Sequence, residues 1–125
     1  MTIPEALNRL NRSKFRSSFH LKEADRIYIG KKGMDVIEQH CRDFVRERLA
    51  PAEPENDGKQ TPMKGHPVFI AMHACGCCCR GCLEKWYRVR PHMPLTSVQQ
   101  EKIVRLLMAW IAREVQEGGN KKEDL

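Results

Sequence analysis

Five of the six cysteines fall within eight residues, at Cys75, Cys77, Cys78, Cys79 and Cys82. A disulfide framework spreads its cysteines to close long loops, where the loss of unfolded-state entropy is largest. Adjacent residues such as Cys77, Cys78 and Cys79 bridge one another poorly, given the Cα and Cβ separations a disulfide needs. The run therefore reads as free thiols in a reducing compartment, suited to metal or thiol chemistry rather than to covalent stapling. The Met1–Arg9 stretch lacks the apolar centre of a secretory signal, so a cytoplasmic location is the expectation.

At 125 residues and 41% hydrophobic content, the chain has room for one core and is too apolar to stay disordered. No run approaches the ~18 apolar residues of a membrane span, which excludes a transmembrane protein. The expected boundaries are an N-terminal helical arm over residues 1–20, one helical domain with a metal site over 21–117, and a flexible tail over 118–125. Oligomeric state leaves no trace in the sequence.

Helical periodicity dominates. Thr2-Ile3-Pro4-Glu5 has capping-box spacing with proline in the first turn, predicting a short helix through Leu7 and Leu10. His20–Arg26 opens another, stopped by Gly30 and Gly33. Met34, Ile37, Cys41, Phe44, Val45 and Leu49 recur at three- and four-residue steps, the stripe of an amphipathic helix ending before Pro51. Residues 51–67 carry four prolines and two glycines and read as a loop. Val68–Met72 has strand-like composition, but Pro67 at a first-turn position favours a short helix. Cys79–Tyr87 forms another. Thr96-Ser97-Val98-Gln99 starts the longest, stopped at Gly118-Gly119. The fold class is mainly α: a single small helical domain with a Cys/His zinc-binding loop.

Cys79-Arg80-Gly81-Cys82 is a C-x-x-C pair entering a helix, where thiolates are favoured by the turn and helix N–H groups. Tetrahedral zinc needs two further ligands. His73 precedes Cys79 by six residues and His66 precedes His73 by seven, a spacing that turns through about 700° on a helix and returns to one face. The expected Zn2+ set is thus Cys79, Cys82, His73 and His66, with Cys78, Cys75 and His40 as alternates. Cys41, on an apolar helical stripe, reads as packing.

Several words in the sequence together resemble a family of short bacterial and phage proteins known only as a domain of unknown function. They are Asn56–Met63, Gly65-His66-Pro67-Val68-Phe69, His73-Ala74 and Cys78-Cys79-Arg80-Gly81-Cys82-Leu83-Glu84-Lys85-Trp86. The resemblance runs from about Leu21 to Ile111 and implies a cytoplasmic protein with no established activity. In that family a histidine often follows the tryptophan, where this chain has Tyr87, and Cys75 and Cys77 look peculiar to this chain.

The net charge of +6 is uneven: residues 80–92 hold Arg80, Lys85, Arg88 and Arg90 against Glu84 alone. Such a cluster suits a polyanion, because neutralising phosphates releases counterions. These four residues are the expected nucleic-acid contacts. Trp86 shares a three-residue spacing with Leu83 and Val89 and reads as core. The function expected is a non-catalytic binding module for DNA, RNA or a nucleic-acid-processing protein. One alternative is a metal-dependent nuclease or other phosphoester hydrolase, with Asp57 as general base and Lys59 steadying phosphate charge. A second is a thiol-rich metal sensor or carrier using a soft ion such as copper(I).

Overall fold

A computed structural model describes the backbone of residues 1–123 and the side chains of residues 1–117, and every regular element among them is helical. Thr2 caps α1 (Ile3–Asn11), its hydroxyl accepting the Glu5 N–H at 3.2 Å. A single turn that periodicity did not foretell, α2 (Lys14–Ser17), follows and is capped by Ser13. Next come α3 (Glu23–Lys32) and α4 (Met34–Phe44). Gly30 does not stop α3; only Gly33 does, at φ 87°, a conformation that glycine takes without steric penalty.

α4 runs into a π-helical turn, Val45–Leu49, closed by Ala50 N–H to the Val45 carbonyl at 2.8 Å. The wider turn offsets the drift of successive four-residue steps, so Ile37, Cys41, Val45 and Leu49 all reach zero exposure. The short helix preferred over a strand is present as α5 (Pro67–Ala74), and α6 (Arg80–Tyr87) follows it. Thr96 and Gln99 form the expected reciprocal cap (Gln99 N–H to Thr96 Oγ1 3.1 Å; Thr96 N–H to Gln99 Oε1 2.9 Å) at the start of α7 (Ser97–Glu123). The Gly118-Gly119 pair, expected as a stop, lies within α7, whereas the side chains of the tail expected over 118–125 lie outside the described residues.

α7 is the central post. It packs against α4, α5 and α1, and buries Val104, Leu107, Trp110 and Ile111 against Val68 and Met72 of α5 and the α4 stripe. Truncating a fully enclosed side chain here, such as Leu107, costs roughly 2–5 kcal/mol. The residue 1–20 arm lies on this body: Arg9 donates to the Trp86 carbonyl at 2.5 Å and Arg16 to the His73 carbonyl at 2.7 Å. Gly76, at φ 68°, lets Trp86 close over the chain, since a Cβ there would sit 2.7 Å from the indole ring.

Candidate functional site: a thiol cluster and a basic groove

The cysteines divide by position. Cys41, Cys75 and Cys77 lie in the apolar core at zero exposure. Burial pushes the Cys41 thiol up to about 12 and raises the Cys75 and Cys77 thiols further still, so all three pack as small apolar side chains. Among the described residues, Cys75, an expected alternate ligand, does not join the sulfur group.

Cys78, Cys79 and Cys82 instead converge around the start of α6, their sulfurs all within 4.8 Å of one another. Cys79 is the N-cap, with Sγ accepting the Cys82 N–H at 3.4 Å, and the Cys78 and Cys82 sulfurs are 3.5 Å apart. Two ligands at Zn–S distances of ~2.3 Å in a tetrahedron stand roughly 3.8 Å apart, so this spacing suits one shared ion. The trio can hold a metal ion. Burial pushes the Cys79 thiol up to about 11, so an incoming ion must displace protons.

Arg16 completes the corner. Only 8% exposed, it directs Nη1 at Cys78 Sγ (3.6 Å) and Nη2 at Cys82 Sγ (3.3 Å). No spacing rule links residue 16 to residue 82. Its only local signal is the Ser13 cap that turns α2 and aims it inward.

The two histidines expected to join the cysteines lie outside the sulfur group. His66 is the N-cap of α5: its Nδ1 accepts the Val68 N–H at 3.0 Å, which leaves Nε2 as the protonated nitrogen, donating to His40 Nδ1 at 3.0 Å. Both His66 nitrogens are thereby used, and the alternate His40 is engaged with it. Burial, then the neighbouring His40, lower the His66 pKa to about 4, with Asp25 opposing. His73 Nε2 faces the Thr61 and Pro62 carbonyls at 3.0 and 3.2 Å, and Phe19 stacks on its ring. Among the described residues, neither histidine joins the sulfur group. The helical face rule failed because Pro67 makes His66 a cap rather than a helical residue. Tyr87 donates its hydroxyl to the Cys75 carbonyl.

The 51–66 loop is pinned to this corner. Thr61 Oγ1 donates to the Cys78 carbonyl at 2.8 Å, and the buried Gln60 donates to Asp57 Oδ1 at 3.1 Å. The same Asp57 oxygen accepts the Arg80 N–H at 3.2 Å, so Asp57 satisfies a free donor at the start of α6. Lys59 is exposed in the loop.

Of the four expected nucleic-acid contacts, Arg80 is withdrawn from solvent. It is 1% exposed and donates to four carbonyls: Pro51 (2.7 Å), Met93 (2.7 Å), Arg90 (2.8 Å) and Leu49 (3.4 Å). A guanidinium with its forks committed to the backbone cannot bind phosphate. Lys85, Arg88 and Arg90 are exposed. Arg88 and Arg90 edge a groove of about 730 Å³ between α1, the end of α6 and α7, and Lys102 and Arg105 of α7 line it as well. Its floor is apolar, including Ile3, Val89 and Ile103. Glu101 also borders it, but is paired with Arg42 and Arg105.

The fold and the site define a small, all-helical domain whose cysteine cluster can hold a metal ion; no described helix is long and apolar enough to cross a membrane. The chain belongs to the DUF4186 family, a domain of unknown function, whose model matches residues 4–112 and so takes in most of the N-terminal arm. No solved structure matches it.

Proposed function

We propose that this chain is a cytoplasmic, zinc-clamped binding module for nucleic acid. The observation that carries the ligand class is the groove, where Arg88, Arg90 and Lys102 have no ion-pair partner among the described residues and flank an apolar floor. Free cations beside apolar surface suit a phosphate backbone with its sugars or bases turned inward. Arg80 contributes indirectly: by gripping the Arg90 and Met93 carbonyls it holds the segment that displays Arg88 and Arg90.

Charge balance supports zinc. A divalent ion, three thiolates and the Arg16 guanidinium sum to zero, whereas copper(I) leaves a net negative charge in a half-buried corner. This weighs against the sensor or carrier reading. Three sulfur donors also put much electron density on the ion, so a bound water is only weakly acidified, and Asp57 is committed as a helix cap. Hydrolysis is correspondingly less supported. The clamp joins the loop, α6 and, through Arg16, the arm that forms one wall of the groove.

Filter retention of single- and double-stranded DNA and RNA across a salt series tests the reading. Retention should fall steeply with salt, and the triple variant Arg88→Ala, Arg90→Ala, Lys102→Ala should flatten the slope by roughly 0.7–0.9 per charge removed. Absence of retention at low salt, or a folded triple variant that binds like the parent, overturns it.

A further inference from the structure

The sulfur corner offers three donors where a tetrahedral ion takes four. Among the described residues no fourth donor joins the three sulfurs: His66 is used by Val68 and His40, Asp57 by Arg80 and Gln60, Cys75 and Cys77 lie in the core, and His73, its Nε2 on two carbonyls, stays outside the group. The donor set is also lopsided in exposure. Cys78 is buried on the Arg16 side, while Cys79 and Cys82 are partly open to solvent. Structural zinc sites close with four protein ligands, whereas sites with three keep a position for something else.

We propose that a divalent ion on Cys78, Cys79 and Cys82 keeps its fourth position for an exogenous donor, neutral and of the imidazole class, with water there at rest. This rests on the metal reading above and adds to it that the centre is a binding site and not only a clamp. Neutrality follows from the charge count. Three thiolates already balance the ion and Arg16, so an anion would leave the half-buried corner negative, while a neutral nitrogen donor leaves it uncharged. A borderline nitrogen ligand also matches a borderline ion better than a hard oxygen anion does.

Cobalt(II) titrated into the full-length protein gives a direct test, because its visible d–d bands report the ligand set. The expected results are one cobalt per chain, a saturable shift of the bands on adding imidazole, and a response to azide only at concentrations roughly tenfold higher or more. His73→Ala should leave both the cobalt spectrum and the imidazole response unchanged, since His73 is not a ligand in this account. A cobalt spectrum altered by His73→Ala, no response to imidazole, or azide binding as well as imidazole overturns the open position while leaving the clamp intact. Failure to take up stoichiometric cobalt or zinc overturns the metal reading and this inference with it.

Discussion

The two ends of α6 carry the same kinds of residue and use them in opposite ways. At its N-terminal end, Arg80 and the more distant Arg16 lie buried, with their donors spent on backbone carbonyls and on sulfur. At its C-terminal end, Arg88 and Arg90 stand in solvent along a groove, with no ion-pair partner among the described residues. Residue type did not set these roles. The difference is whether main-chain carbonyls lacking helical partners surround the guanidinium. The end of the π turn and the 88–94 segment leave four such oxygens around Arg80, which meet both Nη groups while Nε stays unpaired, and a buried cation is tolerated only when most of its donors are met.

That contrast breaks most readily at Arg80. Arg80→Met should cost roughly 3 kcal/mol or more in denaturant unfolding, because four buried or partly buried carbonyls lose a charged donor. A variant as stable as the parent would dissolve the distinction between anchor and contact. Next in size is the division of the cysteines. Cys82→Ser should abolish stoichiometric zinc and, at free zinc one hundred times Kd, remove about 2.7 kcal/mol of stability. Cys75→Ala should keep full zinc content by metal analysis.

Acid probes a third buried polar anchor. His66, lowered to about 4 from an ordinary 6.5, is neutral in the folded protein and must accept a proton on unfolding below its ordinary value. Its contribution is therefore fully present above about pH 6.5 and is lost as pH falls towards 4, a change on the order of 3 kcal/mol. His66→Asn keeps a capping acceptor for the Val68 N–H and should flatten that part of the stability–pH profile. The smallest stability effect belongs to the rim. Arg88→Ala or Arg90→Ala should shift stability by less than about 0.5 kcal/mol while weakening salt-sensitive retention of nucleic acid.

The helices were largely legible because their signals are local. Thr2, Gly33, Pro67 and Thr96 mark starts and stops through their own backbone chemistry, and the Met34–Leu49 stripe follows from the helical period. The exceptions have local reasons too. The α2 turn is a single turn with too few residues for periodicity, and Gly30, inside α3, has open space around it and no positive φ to force a break. The site was legible only in its nearest pieces. Cys79 and Cys82 come together because three residues separate them at a helix start, and Cys78 lies beside them.

What the sequence determined alone was the all-helical class, most of the helix starts and the closeness of the paired thiols, since each depends on contacts within about one helical turn. Tertiary structure decided the rest: that Arg16 reaches the sulfurs across more than sixty positions, that His66 caps α5 while His73 Nε2 meets two loop carbonyls, both outside the sulfur group, and that Arg80 faces inward. Those choices depend on which buried donors and acceptors lack partners once the helices have packed, and no spacing along the chain encodes that balance.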